Sequence, residues 1–255
     1  MLKIGKYVVY DILRSKVLIA YTMFLLLVSL SLFGLENDPS KSLVSLMSVI
    51  MIIVPMVSII FSTTYFYNAY EFIELLVAQP ISRNNILLGE YLGVAVSLVT
   101  GLLIGVGIPV VYYSPTSTGF IILIASIALT LTFTALAFLA SVVTRDKAKG
   151  IGVALMMWFY FSIIYDALVL GLLFAFNDYP LDKAVIVMAS LNPIDLARIM
   201  ILLKLDIAAL MGFTGAVYKQ FFGGNTGLLY TGSIMILWMI VPLLLAVKIF
   251  RKKNL

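Results

Sequence analysis

The side chains available for chemistry are few, and two of the most versatile types are missing. The 255-residue chain has no Cys and no His, and 11% of its residues are charged. Thiolate and imidazole metal sites, cysteine nucleophiles and Ser-His-Asp triads are therefore excluded. The sequence also has no G-x-x-x-x-G-K-[ST] motif for binding nucleotide phosphates. We expect no catalytic residue, no metal site and no bound cofactor in this chain.

Asp166 is predicted to be the one ionisable residue deep within an apolar stretch. A charge in such a place is costly, so an acid there is by default a candidate for function. The alternative is that Asp166 lies near a membrane interface and is hydrated or paired. No second deep acid accompanies it, which argues against an intramembrane aspartyl enzyme.

A polar segment at 67–85 interrupts two apolar stretches and predicts a short amphipathic helix. Glu71 and Glu74 are three residues apart, so they share one helical face. The apolar side is predicted to be formed by Phe72, Leu75 and Leu76. A rigid surface helix between two membrane spans is a suitable lever, because a soluble partner that pushes on it moves both spans. The alternative is an ordinary polar loop.

Pro80 is expected to end this helix, since proline lacks an N–H and clashes with the preceding turn. Ser82 or Asn84 then caps the next helix.

A second polar motif, Asn-Pro-Ile-Asp, begins at Asn192 and predicts another helix start. Asn192 is the expected N-cap, Pro193 the first helical residue, and Asp195 a first-turn acid. Arg198 follows one turn later and can pair with Asp195. We interpret 184–228 as short outer-face helices that dip partly into the membrane. Lys204 and Asp206 argue against a seventh span.

Six apolar stretches long enough to cross a bilayer must position these motifs. Apolar residues make up 63% of the chain, and about 20 of them suffice for one span. The fold class is therefore an all-α membrane protein, in one transmembrane domain. The predicted spans are 17–35, 43–66, 86–112, 120–143, 150–176 and 229–249.

Residues 1–16 predict an amphipathic helix at the membrane interface, the alternative being a simple basic flank. Its polar face carries Lys3, Lys6, Tyr10 and Arg14, and its apolar face carries Ile4, Val8 and Ile12.

The distribution of positive charge predicts the orientation. Of 17 Lys and Arg residues, 12 lie on the side that holds the N-terminus. The other five are Lys41, Lys183, Arg198, Lys204 and Lys219. This bias places both termini in the cytoplasm, in agreement with the even number of spans, and indicates a multi-pass protein of the cell inner membrane. The partners include membrane lipid and no nucleic acid.

Small and hydroxylated residues recur every four positions in two spans. Ser97, Gly101 and Gly105 predict close helix packing, within one subunit rather than at a dimer seam. Ser126, Thr130 and Thr134 either line a path or bond to backbone and neighbouring helices.

The stretch ELLVAQPISRNNILLGEYLG, residues 74–93, resembles the cytoplasmic coupling segment of ABC-2-type transporter permeases. The resemblance extends to the layout of the whole chain. It implies a homodimer that works with two copies of a separate ABC ATPase, which would bind ATP and Mg. It also implies that the ATPase contacts this chain at Glu71, Glu74, Gln79, Pro80 and Arg83.

Residues 190–223 resemble, more narrowly, the NosY-type permeases of the nitrous oxide reductase maturation system. The Asn-Pro-x-Asp-x-x-Arg core is carried by Asn192, Pro193, Asp195 and Arg198, and a Thr-Gly-Ala-Val stretch by 214–217. This resemblance implies a role in copper-site assembly and a periplasmic accessory protein seated on that core. An ABC-2 exporter for another substrate, or an ion-coupled carrier, is the alternative. The 12 Met residues show no ladder that favours a copper path over ordinary packing.

Overall fold

A computed structural model describes residues 1–36, 38–144, 146–176, 182–205 and 225–252. Within these ranges nearly every residue is helical and no strand occurs. Six helical segments of the described chain are long and apolar enough to cross a membrane, which confirms the predicted fold class. The predicted motif at 214–217 and most of the 184–228 segment beyond residue 205 lie outside the described residues.

The first three spans are preceded by one helix and interrupted by another. The elements are α1 (Leu2–Leu13), α2 (Lys16–Leu35), α3 (Pro39–Asn68), α4 (Tyr70–Val77), α5 (Arg83–Leu102), a π-helical turn π1 (Leu103–Gly107) and α6 (Ile108–Tyr113). Spans 1, 2 and 3 are α2, α3 and the continuous segment α5–π1–α6. Each matches its predicted range and extends it by one to four residues.

The second half contains three more spans and a bent helix pair. The elements are α7 (Ser117–Val143), α8 (Lys147–Phe159), π2 (Tyr160–Ile164), α9 (Tyr165–Ala175), α10 (Asp182–Ser190), α11 (Pro193–Leu202) and α12 (Asn225–Lys252). Spans 4, 5 and 6 are α7, the segment α8–π2–α9, and α12. The pair α10–α11 bends by 113° and counts as a seventh, broken crossing only if both halves are taken together.

Side-chain caps fix where several spans begin. Ser15 accepts a hydrogen bond from the Leu18 N–H at 3.2 Å, and Asp146 accepts one from the Lys149 N–H at 2.8 Å. Thr116 does the same for the Gly119 N–H at 3.2 Å. Because the first N–H groups of a helix have no partner within it, these polar residues set the boundaries between loop and span.

Span 4 is the centre of the bundle. Helix α7 packs against α3, α5, α8, α11 and α12. In the most apolar 18-residue stretch of span 4, 67% of the residues are buried inside the protein. The corresponding stretches of spans 5 and 6 are 17% and 22% buried. Spans 5 and 6 therefore leave broad apolar faces on the outside of the bundle.

The predicted ridge of small residues in span 3 contacts span 1 of the same chain. A Cβ added to Gly101 would lie 2.7 Å from Thr22 Oγ1, and one added to Gly105 would lie 2.7 Å from Leu25 Cβ. Only a hydrogen atom fits at either position, so the expected packing within one subunit is confirmed.

The hydroxyl stripe of span 4 is used internally. Ser126 donates to Ile122 O at 2.6 Å and Thr130 to Ser126 O at 2.9 Å, each within its own helix. Thr134 lies 3.4 Å from the hydroxyl of Ser62 on α3. These contacts agree with the backbone-bonding alternative rather than with an open path.

Candidate coupling sites at the two ends of the bundle

The predicted surface helix is α4, and it presents its acids outward. Glu71 and Glu74 are both exposed and make no salt bridge within the described residues, while Ile73 and Leu76 are buried beneath them. The helix ends at Val77, ahead of Pro80, as expected. Leu75 was predicted to be on the apolar side, which is wrong. It is 67% exposed, because this short helix of about two turns buries only one narrow face.

Helix α4 is held by aromatic contact to the N-terminal helix. Phe72 stacks on Tyr7 with ring centroids 5.2 Å apart, and α4 also packs against α3 and α5. Gln79 and Pro80 are exposed in the turn that follows. The two acids and this turn therefore form one surface that is fixed to three helices from behind.

Arg83 differs from the other predicted contact residues. It is half-buried, and its guanidinium donates a hydrogen bond to the Arg251 carbonyl at 3.3 Å. It joins the start of α5 to the end of α12. Ser82 is the N-cap of α5, one of the two predicted candidates, but its side chain makes no capping hydrogen bond.

Helix α1 lies directly on the start of span 3. The predicted apolar residues Ile4, Val8 and Ile12 are buried, whereas Lys3, Lys6, Tyr10 and Arg14 are exposed. A Cβ at Gly5 would be 3.3 Å from Gly89 O, and one at Gly93 only 2.4 Å from Val8 Cβ. The backbones of α1 and α5 approach closely because glycines lie where the two helices cross. We call these contacts the glycine seat of α1, and a sideways shift of α1 would separate them.

Glu90 is the acid that the sequence analysis missed. It lies near the start of the third predicted span and is 1% exposed, a buried acid that the sequence analysis did not single out. Neither of its carboxylate oxygens has a hydrogen-bond partner in the described residues. Glu90 lies in the second turn of α5, between two glycines that contact α1.

The start of α11 at the opposite end of the bundle has the predicted cap. The Asn192 side-chain oxygen accepts from the Ile194 N–H at 3.0 Å, and Pro193 is the first helical residue. The Asn192 amide also donates to Asp195 Oδ2 at 3.1 Å and to the carbonyl of Phe161 at 3.0 Å. Phe161 lies in π2, so the cap of α11 is anchored to span 5.

Arg198 binds two carboxylates at once. It donates to Asp195 Oδ1 at 3.0 Å, the predicted pair, and to Asp166 Oδ2 at 3.2 Å. Asp166 is therefore paired, which was the alternative for this residue. Its partner is 32 positions away in sequence, so helical spacing could not have revealed the contact.

Two further hydrogen bonds fasten the bent pair α10–α11 to the spans. The Tyr165 hydroxyl donates to Met188 O at 2.5 Å, and the Trp238 indole N–H donates to Ser190 O at 3.1 Å. Within the described residues the bent pair is thus joined to span 5 by three polar links and to span 6 by two, the second being the contact between the hydroxyls of Ser190 and Tyr230 at 3.1 Å. Movement of the far half of span 5 must carry the bent pair with it.

Six helical segments of the described chain are long and apolar enough to cross a membrane, and the short surface helix α4 lies between the second and the third. Residues 9–255 match the family described as ABC-2 family transporter protein, and the chain belongs to this family. It is a permease subunit of that class, and the family implies an ABC ATPase as its partner.

Two curated relatives cover most of the chain. One from Pseudomonas aeruginosa is 27% identical over 224 residues, 79% of this chain and 81% of the relative. One from Stutzerimonas stutzeri is 26% identical over 243 residues, 86% of this chain and 83% of the relative. Both are named probable ABC transporter permease protein NosY.

Proposed function

We propose that a separate ATPase drives this permease by binding the exposed acidic surface of α4. The observation that carries the proposal is the two-sided character of this helix. Glu71 and Glu74 face solvent, while Ile73 and Leu76 pack inward. A partner that reaches the acids pushes on a helix with its other face already seated on the bundle.

Movement of α4 would reach the membrane spans in two ways. One runs through Phe72 and Tyr7 to α1, which sits on the glycines of span 3. The other is covalent, since α4 connects spans 2 and 3. Closure of an ATPase dimer would then move packed helices as rigid bodies. Charges at such a rim set register and specificity more than affinity. Basic side chains on the ATPase are the expected complement.

In this proposal α4 and both termini face the cytoplasm of a cell with this protein in its inner membrane. Two permease copies act with two ATPase copies, which bind ATP and Mg. The bent pair α10–α11 then lies at the periplasmic end, and Asn192, Pro193, Asp195 and Arg198 organise the seat of an accessory protein. Their links to span 5 support this assignment, because force on that span reaches the seat.

The pathway we propose is copper-site assembly of nitrous oxide reductase, by transport or by force on the periplasmic partner. Support comes from the NosY-named relatives and from the Asn-Pro-x-Asp-x-x-Arg core at 192–198. The second candidate is an ABC-2 exporter for another substrate, favoured by the family match alone.

Charge reversal on α4 tests the coupling. The double variant Glu71→Lys, Glu74→Lys should insert normally in the membrane but lose binding of the purified ATPase and stimulation of ATP hydrolysis. Glu36→Lys is the matched control, because Glu36 is an exposed acid at the opposite end of the bundle. Unchanged binding and stimulation in the double variant, or equal loss in the control, would contradict the proposed coupling surface.

A further inference from the structure

We propose that Glu90 is a proton-binding site that controls the seating of the N-terminal helix α1 on span 3. The site takes a proton when α1 is docked and releases it when α1 lifts. It concerns regulation by pH at the ATPase-facing end and needs no ATPase for its operation.

The burial of Glu90 carries the inference. The residue is 1% exposed, and both carboxylate oxygens lack a hydrogen-bond partner in the described residues. An ionised carboxylate in such a place loses its hydration and gains no hydrogen bond or ion pair to replace it. Buried acids without a partner therefore favour the protonated form. A neutral carboxylic acid is therefore the form compatible with this packing.

Asp11 of α1 and Tyr65 of α3 belong to the surroundings of Glu90. The Tyr65 hydroxyl donates to Asp11 Oδ2 at 3.4 Å, so the Tyr65 proton is directed at Asp11 rather than at Glu90. Neither side chain is a hydrogen-bond partner of the Glu90 carboxylate.

Within the described residues, the other helices around span 3 supply no positive charge that forms a salt bridge or hydrogen bond with Glu90. Helix α7 has no ionisable residue, and Lys248, Arg251 and Lys252 on α12 are exposed. Helix α2 meets span 3 around Gly101, about three turns beyond Glu90. The acids of α4 are exposed, and so are the basic residues of α1, of which Lys6 lines a surface groove with Leu92 and Gly93 of span 3.

Helix α1 packs against span 3 on both sides of Glu90. Gly89 and Gly93 flank Glu90 in sequence, and both are in contact with α1: a Cβ at Gly89 would be 3.0 Å from Ile4 Cβ. In this proposal, separation of α1 from span 3 at this point admits water to Glu90. Since Tyr7 of α1 stacks on Phe72 of α4, that separation also disturbs the acidic surface helix.

Infrared spectroscopy of the purified chain in lipid nanodiscs tests the proposal. In a pH titration the wild type should show the carbonyl band of a protonated carboxylic acid at pH values where exposed acids are ionised. Glu90→Gln should lose this band, and Glu36→Gln, which changes an exposed acid, should keep it. In Asp11→Asn, removal of the neighbouring negative charge should shift the loss of the band to lower pH.

A distance measurement tests the link to α1. Because the chain has no Cys, Lys3→Cys and Asn85→Cys accept two spin labels at defined exposed positions on α1 and α5. Their separation should increase with pH in parallel with loss of the band, and it should stay constant with pH in Glu90→Gln.

Three results would overturn the inference. They are a wild-type protein without the band while α1 remains docked, a band that persists in Glu90→Gln, and a distance that changes with pH equally in both proteins. The first two results come from the wild type and from Glu90→Gln, which has nearly the same shape. The Asp11→Asn variant tests the same site without changing Glu90.

Discussion

Replacing Arg198 by Met should loosen the attachment of the bent pair α10–α11 to span 5, although the bonds from Asn192 to Phe161 O and from Tyr165 to Met188 O remain. Arg198 donates to Asp195 at 3.0 Å and to Asp166 at 3.2 Å, with side-chain exposures of 11% and 32% for the two acids. A hydrogen bond to a charged group contributes about 1.5–3 kcal/mol when shielded from water. An exposed ion pair contributes about 0.2–1 kcal/mol. The expected loss is about 2–4 kcal/mol, or roughly a 30- to 700-fold rise in local opening.

Hydrogen–deuterium exchange of the α11 amides measures this opening directly, since local protection reports the free energy of local unfolding. Asp166→Asn should cost no more than about 1 kcal/mol, because it removes the more exposed link. Lys41→Met is the control, because Lys41 is an exposed cation in the first turn of α3 at the same end of the bundle. Unchanged protection in Arg198→Met, or equal losses in Arg198→Met and Asp166→Asn, would refute the assignment of Asp195 as the dominant partner.

Glycine contacts give two further predictions. Gly93→Leu should displace α1, since its Cβ would lie 2.4 Å from Val8. We expect the free energy of unfolding to fall by about 1–3 kcal/mol, the usual cost of overpacking. Gly152→Leu is the control, and it should leave the unfolding temperature unchanged because no atom lies near its Cβ. Gly150→Leu should push aside the ring of Tyr67, which lies 2.1–2.5 Å from the added Cβ, and unfolding of the purified protein should occur at lower temperature. Adding Tyr67→Ala should recover part of that loss, and no recovery would show that the clash lies elsewhere.

The elements that sequence predicted well depend on local patterns. The face of α1 that carries Ile4, Val8 and Ile12 follows from helical spacing alone, and the start of α11 follows from the Asn-Pro pair. Apolar run length located all six spans within a few residues of their ends. The same local logic placed Glu71 and Glu74 on the outside of α4, although their role with a partner stays a prediction.

The features that sequence missed depend on contacts between distant segments. Glu90 stands near the start of a predicted span in the sequence. Its burial becomes apparent only in the folded structure, where α1 packs on the neighbouring glycines. The bond between Arg198 and Asp166 joins residues on different helices, and no spacing rule relates them. Leu75 was misplaced for the opposite reason, because its helix is too short for helical periodicity to decide which residues are covered.

The glycine seat between α1 and span 3 has a consequence for biogenesis. Helix α1 is synthesised before span 3, and the glycines that contact it emerge roughly eighty residues later, which at 5–20 residues per second is a delay of about 4–16 s. During that interval no other part of the chain buries the apolar face of α1, and the membrane interface is the environment that can bury it. The nascent chain therefore holds its first helix on the bilayer until the third hydrophobic segment leaves the translocation machinery.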